Sequence, residues 1–167
     1  MHKKTISDAD RADILSYCQR AIADSNIRKT KQVDAALTLL FMATGMRCEE
    51  VIRLKPDHFA EQRGEQGVWI SAAKGSTPRW SPLLVDSKVF ELLREVFGNL
   101  RFWYAKQGEA ELAFKATIRR RVLGLVSRSL GKVDHGYTVH SFRHTVAVRA
   151  LLSDAVKNNP LGILAIQ

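Results

Sequence analysis

No run in this sequence approaches the ~18 consecutive apolar residues of a membrane-spanning helix. Its opening Met1-His2-Lys3-Lys4 leads to Asp8 and Asp10, not to the apolar core of a secretion signal. There are only two cysteines, Cys18 and Cys48, both in apolar helical surroundings. Neither CxxC nor Cys/His ligand spacing accompanies them, so they read as buried, reduced thiols. Acid is scarce, with 17 Asp+Glu against 26 Lys+Arg, and nowhere do carboxylates cluster as a divalent-cation site requires. Internal repeats and low-complexity segments are absent. A membrane span, a disulfide-stapled secreted scaffold and a metal centre are therefore set aside, and a soluble cytoplasmic protein is expected.

The 167 residues suffice for one domain with a sizeable core. Hydrophobic residues make up 46% and charged residues 26%, which is an ordinary globular balance. The net charge of +9 and a pI near 9.9 favour a polyanionic partner. A solvated basic surface gives the same totals, so charge alone does not name that partner.

Ser7 with Asp10 predicts a capped helix carrying Ile14, Leu15, Cys18 and Ile22 at helical spacing, broken by Asp24-Ser25-Asn26. A second helix is predicted from about Lys31 to Ala43, interrupted by Thr44-Gly45, with a short helix from Glu49 to Leu54 stopped before Pro56. The texture then turns β-like at Gly67–Ala72 and Ser81–Val85, around the turn-forming Lys74-Gly75-Ser76-Thr77-Pro78. This predicts an antiparallel hairpin with Lys74 near its tip, and Pro82 marks the second strand as short or at an edge. Asp86 caps a helix ending at Gly98, Glu109–Leu130 forms a long helix finished by Gly131, and Thr138 caps a last helix running to Leu152. The fold class expected is α+β, mainly α, with a small antiparallel β-hairpin or sheet at one edge.

Two arginine-bearing segments stand out, Thr44-Gly45-Met46-Arg47 and His140-Ser141-Phe142-Arg143-His144. Arginine presents a planar fork of donors to phosphate and stays charged under working conditions. Arg47 and Glu50 share a helix face, which for this fragment alone is equally a surface ion pair of little energy. His140 and Arg143 also share a face, at a capped helix start where backbone N–H groups favour an anion; a lone HxxR is otherwise surface polar sequence. His144 points elsewhere and is expected in the core or supporting the local geometry. Lys74 is either a solvated turn lysine or a proton donor with a long reach. Lys115, Arg119, Arg120 and Arg121 on the long helix form either a solvated face or a track for a DNA backbone.

Together these residues resemble the catalytic domain of the tyrosine recombinase, or phage integrase, family. Ala43-Thr44-Gly45-Met46-Arg47-Cys48-Glu49-Glu50 followed by Leu54 is similar to its T-G-x-R-x-x-E-x-x-x-L box. Lys74-Gly75 followed by Ser81-Pro82-Leu83 is similar to its hairpin lysine and the next strand, and Thr138–Thr145 to its T-x-H-x-L-R-H-T box, with Phe142 in place of Leu. The resemblance covers about Ser7 to Leu152 and implies the fold of the DNA breaking-rejoining enzymes. It implies that Arg47 and Arg143 hold one scissile phosphate, that Lys74 protonates the departing 5′ oxygen, that His140 assists proton transfer at the nucleophile, and that Glu50 orients the Arg47 side. No cofactor or metal is implied. Double-stranded DNA is the implied partner, with a homo-oligomer or a complete recombinase beside it, in a cytoplasmic, nucleoid-associated setting.

The family's nucleophile is a tyrosine about thirty residues beyond the second arginine, forming a 3′-phosphotyrosine link. Gln167 is 24 residues past Arg143 and no tyrosine follows it, so the expectation is a catalytic core lacking both the nucleophile segment and the N-terminal core-binding domain. Tyr17, Tyr104 and Tyr137 read as structural. Alternatives are a DNA-binding regulator derived from an integrase, a type IB topoisomerase or telomere resolvase, and a basic helical protein without a DNA role.

Overall fold

The computed structural model of the chain describes residues 4–71, 75, 77–98 and 110–153. Its elements run α1 (Asp8–Ala23), α2 (Lys29–Thr44), α3 (Cys48–Val51), a 3-10 turn (Pro56–His58), β1 (Phe59–Gln62), β2 (Glu65–Ile70), β3 (Arg79–Pro82), α4 (Ser87–Gly98), α5 (Glu111–Leu130) and α6 (Val139–Leu152). The predominance of helix with a small antiparallel sheet is the class expected from sequence.

α2 organises the rest. Every residue from Val33 to Met42 is buried, so the helix is apolar all round and has to be covered on all sides. α1, α4, α5 and α6 supply that cover. Asp34 is the charged exception, buried in α2 and held by Arg121 of α5 at 3.0 Å, with Arg128 at 3.7 Å. An uncompensated carboxylate in that position would cost several kcal/mol.

The ends of the helices follow their sequence signals. The Ser7 hydroxyl accepts the Asp10 N–H at 3.1 Å, and the Asp86 carboxylate accepts the Val89 N–H at 2.9 Å. α5 closes on Gly131 in the left-handed conformation. α2 starts two residues earlier than expected, at Lys29, and α3 is shorter, ending at Val51.

The sheet contains the expected antiparallel pair, β2 with β3, and adds a strand to it. It has three strands in the order β1-β2-β3, all antiparallel, where a single hairpin was expected. Arg63 and Gly64 join β1 to β2 with both φ angles positive, 52° and 78°, the geometry that matches the twist of a two-residue hairpin. β3 occupies Arg79–Pro82 and not Ser81–Val85, because register pairs Ile70 with Arg79 and Gly67 with Pro82. Pro82 does lie on an edge strand. Val68 and Ile70 face inward, and Phe59 packs on Phe97 and Phe90 of α4 with ring centroids 5.3 and 6.1 Å apart. The sheet is thereby fixed to the helical body.

The first described residues are bonded to the region around α6. The Ile6 N–H donates to the Thr145 hydroxyl at 2.8 Å, and the Lys4 ammonium donates to the His135 carbonyl at 2.9 Å while lying over the Tyr137 ring. Among the described residues no helix is long and apolar enough to cross a membrane.

Candidate functional site

The site begins where α2 stops. Gly45 takes the left-handed conformation, φ 60°, and its N–H returns to the Phe41 carbonyl at 2.9 Å. α6 crosses directly over it. A Cβ at position 45 would sit 3.1 Å from the Arg143 Cα and 3.2 Å from the Val146 Cβ. Glycine is thus required for its φ and for the close approach of the helix carrying Arg143. Gly45→Ala is expected to lower stability by roughly 1–3 kcal/mol, from left-handed strain plus crowding. The check is a lower urea midpoint at unchanged slope.

This arrangement brings the two distant arginine segments together. Arg47 is the N-cap of α3, in extended conformation, two residues after Gly45. Arg143 donates from its guanidinium to the Gly45 carbonyl at 3.2 Å. Burial lowers the Arg143 pKa below the usual arginine value, and the neighbouring charges of Arg47 and Arg79 lower it further, opposed by Glu50. Such a site disfavours its own charge and is stabilised by an incoming anion.

Glu50 is the buried carboxylate of this cluster, 2% exposed. One of its oxygens accepts the Arg47 backbone N–H at 2.7 Å. Both oxygens also accept the guanidinium fork of Arg79, at 2.8 and 3.1 Å. Burial pushes the Glu50 pKa up. The Arg79 and Arg47 hydrogen bonds, with the charges of Arg79 and Arg143, outweigh it and hold the group below the ordinary glutamate value. Sequence reasoning missed Arg79. The available signal was Glu50 itself, since an acid on the buried side of a short helix needs a cation from elsewhere.

His140, the second residue of α6, is exposed. With Arg119, Cys48, Glu49, Met46 and Val139 it lines a polar cavity of about 130 Å³. The basic run on α5 does not share one face. Lys115 lies one turn before Arg119 and pairs with Glu49 at 3.3 Å and with Glu111 at 3.6 Å. Arg120 is exposed, whereas Arg121 turns to the buried Asp34. Consecutive residues on a helix diverge by about 100°, which separates the three arginines. Lys74 lies outside the described residues, as does Tyr104.

His144 is half-buried and outside the apolar core, with no hydrogen-bond partner among the described residues. The buried histidine of this region is His135, whose ring accepts the Tyr137 N–H at 3.0 Å. The Tyr137 hydroxyl donates to Asp10 and accepts the Ser7 N–H, and Tyr17 packs against the core. Both cysteines are buried and free; burial pushes the Cys18 thiol up to about 12 and raises that of Cys48. Among the described residues no three His, Cys, Asp or Glu side chains are grouped to hold a metal. A roomier groove of about 660 Å³, with Leu15, Met42, Val89 and Val146 in its walls, contains none of the clustered arginines.

Chemically, the cluster is two guanidinium groups beside a third arginine that is already neutralised. Among the described residues neither Arg47 nor Arg143 has a carboxylate within ion-pair distance. The Arg47 fork, with the Arg143 donors that the Gly45 carbonyl does not take, suits the non-bridging oxygens of a phosphodiester.

Residues 7–156 match the profile described as the phage integrase family. A tyrosine recombinase of Agathobacter rectalis is 29% identical over 146 residues, covering 83% of this chain and 45% of that protein. The fold is similar to the XerH site-specific recombinase bound to palindromic difH substrate in a post-cleavage complex, with TM-score 0.63, 17% identity, and 91% of this chain against 43% of that one. It is also similar to the XerH pre-cleavage complex with difH, with TM-score 0.62, 17% identity, and 90% of this chain against 44% of that one. The chain spans less than half the length of each of these relatives.

Proposed function

The chain belongs to the phage integrase family, and from that premise we propose that it binds duplex DNA and clamps one scissile phosphate for strand cleavage and rejoining. The carrying observation is the convergence of Arg47 and Arg143, 96 positions apart in sequence, beside the junction made by Gly45. Their guanidinium groups take the non-bridging oxygens and neutralise the charge that builds as phosphorus becomes pentacoordinate. A tyrosine hydroxyl attacks phosphorus, a 3′-phosphotyrosine bond forms, and the bond to the 5′ oxygen breaks. Lys74 gives that oxygen its proton, and His140 assists proton transfer at the nucleophile. Rejoining runs the same steps backwards. Arg119, on the wall of the cavity shared with His140, and Arg120 contact the adjacent backbone. The chain acts as a catalytic domain, assembled on DNA with copies of itself or with a complete recombinase.

The attacking tyrosine of this proposal lies outside the described residues, because Tyr17 is packed and the Tyr137 hydroxyl is engaged. The same observation favours a second reading, in which the chain occupies DNA sites without cutting them. Duplexes nicked so that rejoining fails separate the two. With a tyrosine-bearing recombinase supplied beside this chain, a denaturant-resistant protein–DNA adduct that Arg143→Ala abolishes is the expected product of the enzyme. Salt-sensitive binding with no such dependence assigns the chain to the regulator reading, and the absence of binding at low salt removes both.

A further inference from the structure

Three arginines surround one carboxylate at the head of α3, and the partition among them is uneven. Glu50 gives both oxygens to Arg79, and one of them also to the Arg47 backbone, while the Arg47 and Arg143 side chains receive none. A buried carboxylate within electrostatic reach of the Arg79 and Arg143 guanidinium groups, and bonded to the Arg47 backbone, should pair with whichever fork is best placed. Here β3 delivers that fork. Arg79 is its first residue, pinned opposite Ile70, so its guanidinium arrives from the sheet and not from the helices that carry the clamp. Its side chain is 33% exposed and that of Glu50 is fully buried, so the pair closes over the acid.

We infer that Arg79 is a positioning residue that shields the clamp: by saturating Glu50 it keeps the carboxylate from capturing Arg47 or Arg143, leaving both forks open for a DNA phosphate. The inference rests on the clamp reading given above. Its chemistry is competition between two anions, one built in and one arriving. Without Arg79 the internal anion is always present at the site, and a phosphate must displace it. Glu50 nevertheless remains useful, since its oxygen holds the backbone of Arg47 at the N-cap. A glutamine there would keep an acceptor for that N–H without a charge able to compete.

The test is a double-mutant cycle read by fluorescence anisotropy of a labelled duplex at fixed low salt, using the full chain. Arg79→Met should bind about 10-fold more weakly, the effect of an ion pair that has to be broken first. Adding Glu50→Gln to Arg79→Met should restore affinity to within about 3-fold of the parent, as the competing charge is gone. The control is Arg79→Met with Glu91→Gln, which has the same net charge as the rescued protein but changes an exposed acid of α4; it should remain weak. Failure of Glu50→Gln to rescue, or equal rescue by Glu91→Gln, overturns the shield. If Arg143→Ala in the parent leaves affinity unchanged, the clamp itself has failed, and that result is separable from the cycle. Should Arg79→Met not fold, Arg79→Lys, which leaves one Glu50 oxygen uncovered, carries the same comparison with the same deciding outcomes.

Discussion

Arg143→Ala is expected to weaken duplex DNA binding about 10- to 100-fold, because a charge-assisted hydrogen bond to phosphate contributes roughly 1.5–3 kcal/mol. Arg120→Ala, which removes an exposed charge from α5, should cost less than about 3-fold, as a diffuse contact does. The log–log slope of affinity against salt should flatten by about one unit for Arg143→Ala, one phosphate contact having gone. Stability should move little. Burial and the charge of Arg47 both oppose the Arg143 cation in the free protein, so its removal relieves repulsion as it loses the bond to the Gly45 carbonyl. A salt titration run beside a thermal melt checks both halves. Equal losses for Arg143→Ala and Arg120→Ala would reduce Arg143 to one charge among many.

Glu50→Ala is expected to behave in the opposite way and to cost roughly 3–5 kcal/mol of stability, the range for breaking a buried ion pair from one side. Arg79 is one third exposed, which places the effect toward the lower end. For a chain of this size ~3 kcal/mol corresponds to a fall of about 6–12 °C in Tm. The variant leaves Arg47, Arg79 and Arg143 facing one another and strands the Arg47 N–H. A pH dependence accompanies it. The Glu50 pKa is lower in the folded chain than its ordinary 4.5, so the folded state binds that proton less readily than the unfolded state. Its stabilisation is fully present above that ordinary value and is lost as pH falls through the depressed folded value. The parent should therefore lose stability on acidification below 4.5 more steeply than Glu50→Ala does. Parallel acid-unfolding curves would show that the carboxylate is not coupled to folding.

What could be read from the chain depended on how local the cause was. Helix starts at Ser7 and Asp86 and the stop at Gly131 were visible, since each is a single residue satisfying its own neighbours. The two arginine segments that the structure brings together were visible because Gly45-Met46-Arg47 and His140–Arg143 each carry their pattern within one turn. β1 was not, as its mark was only Arg63-Gly64 between polar residues without clear alternation. Arg79 was hidden for a different reason: strand register brings it to a partner 29 residues away. The basic run on α5 looked continuous in one dimension and diverges in three, with Arg121 answering an acid inside α2 that no local pattern announced. His135 was not singled out, because its placement in a loop and not helical spacing buries it, whereas His144 is half-buried.

The bond from Ile6 to Thr145 ties the start of the chain to the helix that holds Arg143, two residues along from it. Ile6 is also buried in the core, and Asp8 pairs with Arg149 of the same helix, so packing and polar contacts together anchor this segment to α6. A substitution that frees residues 4–7 at Thr145 is therefore expected to disturb the placement of Arg143 as well.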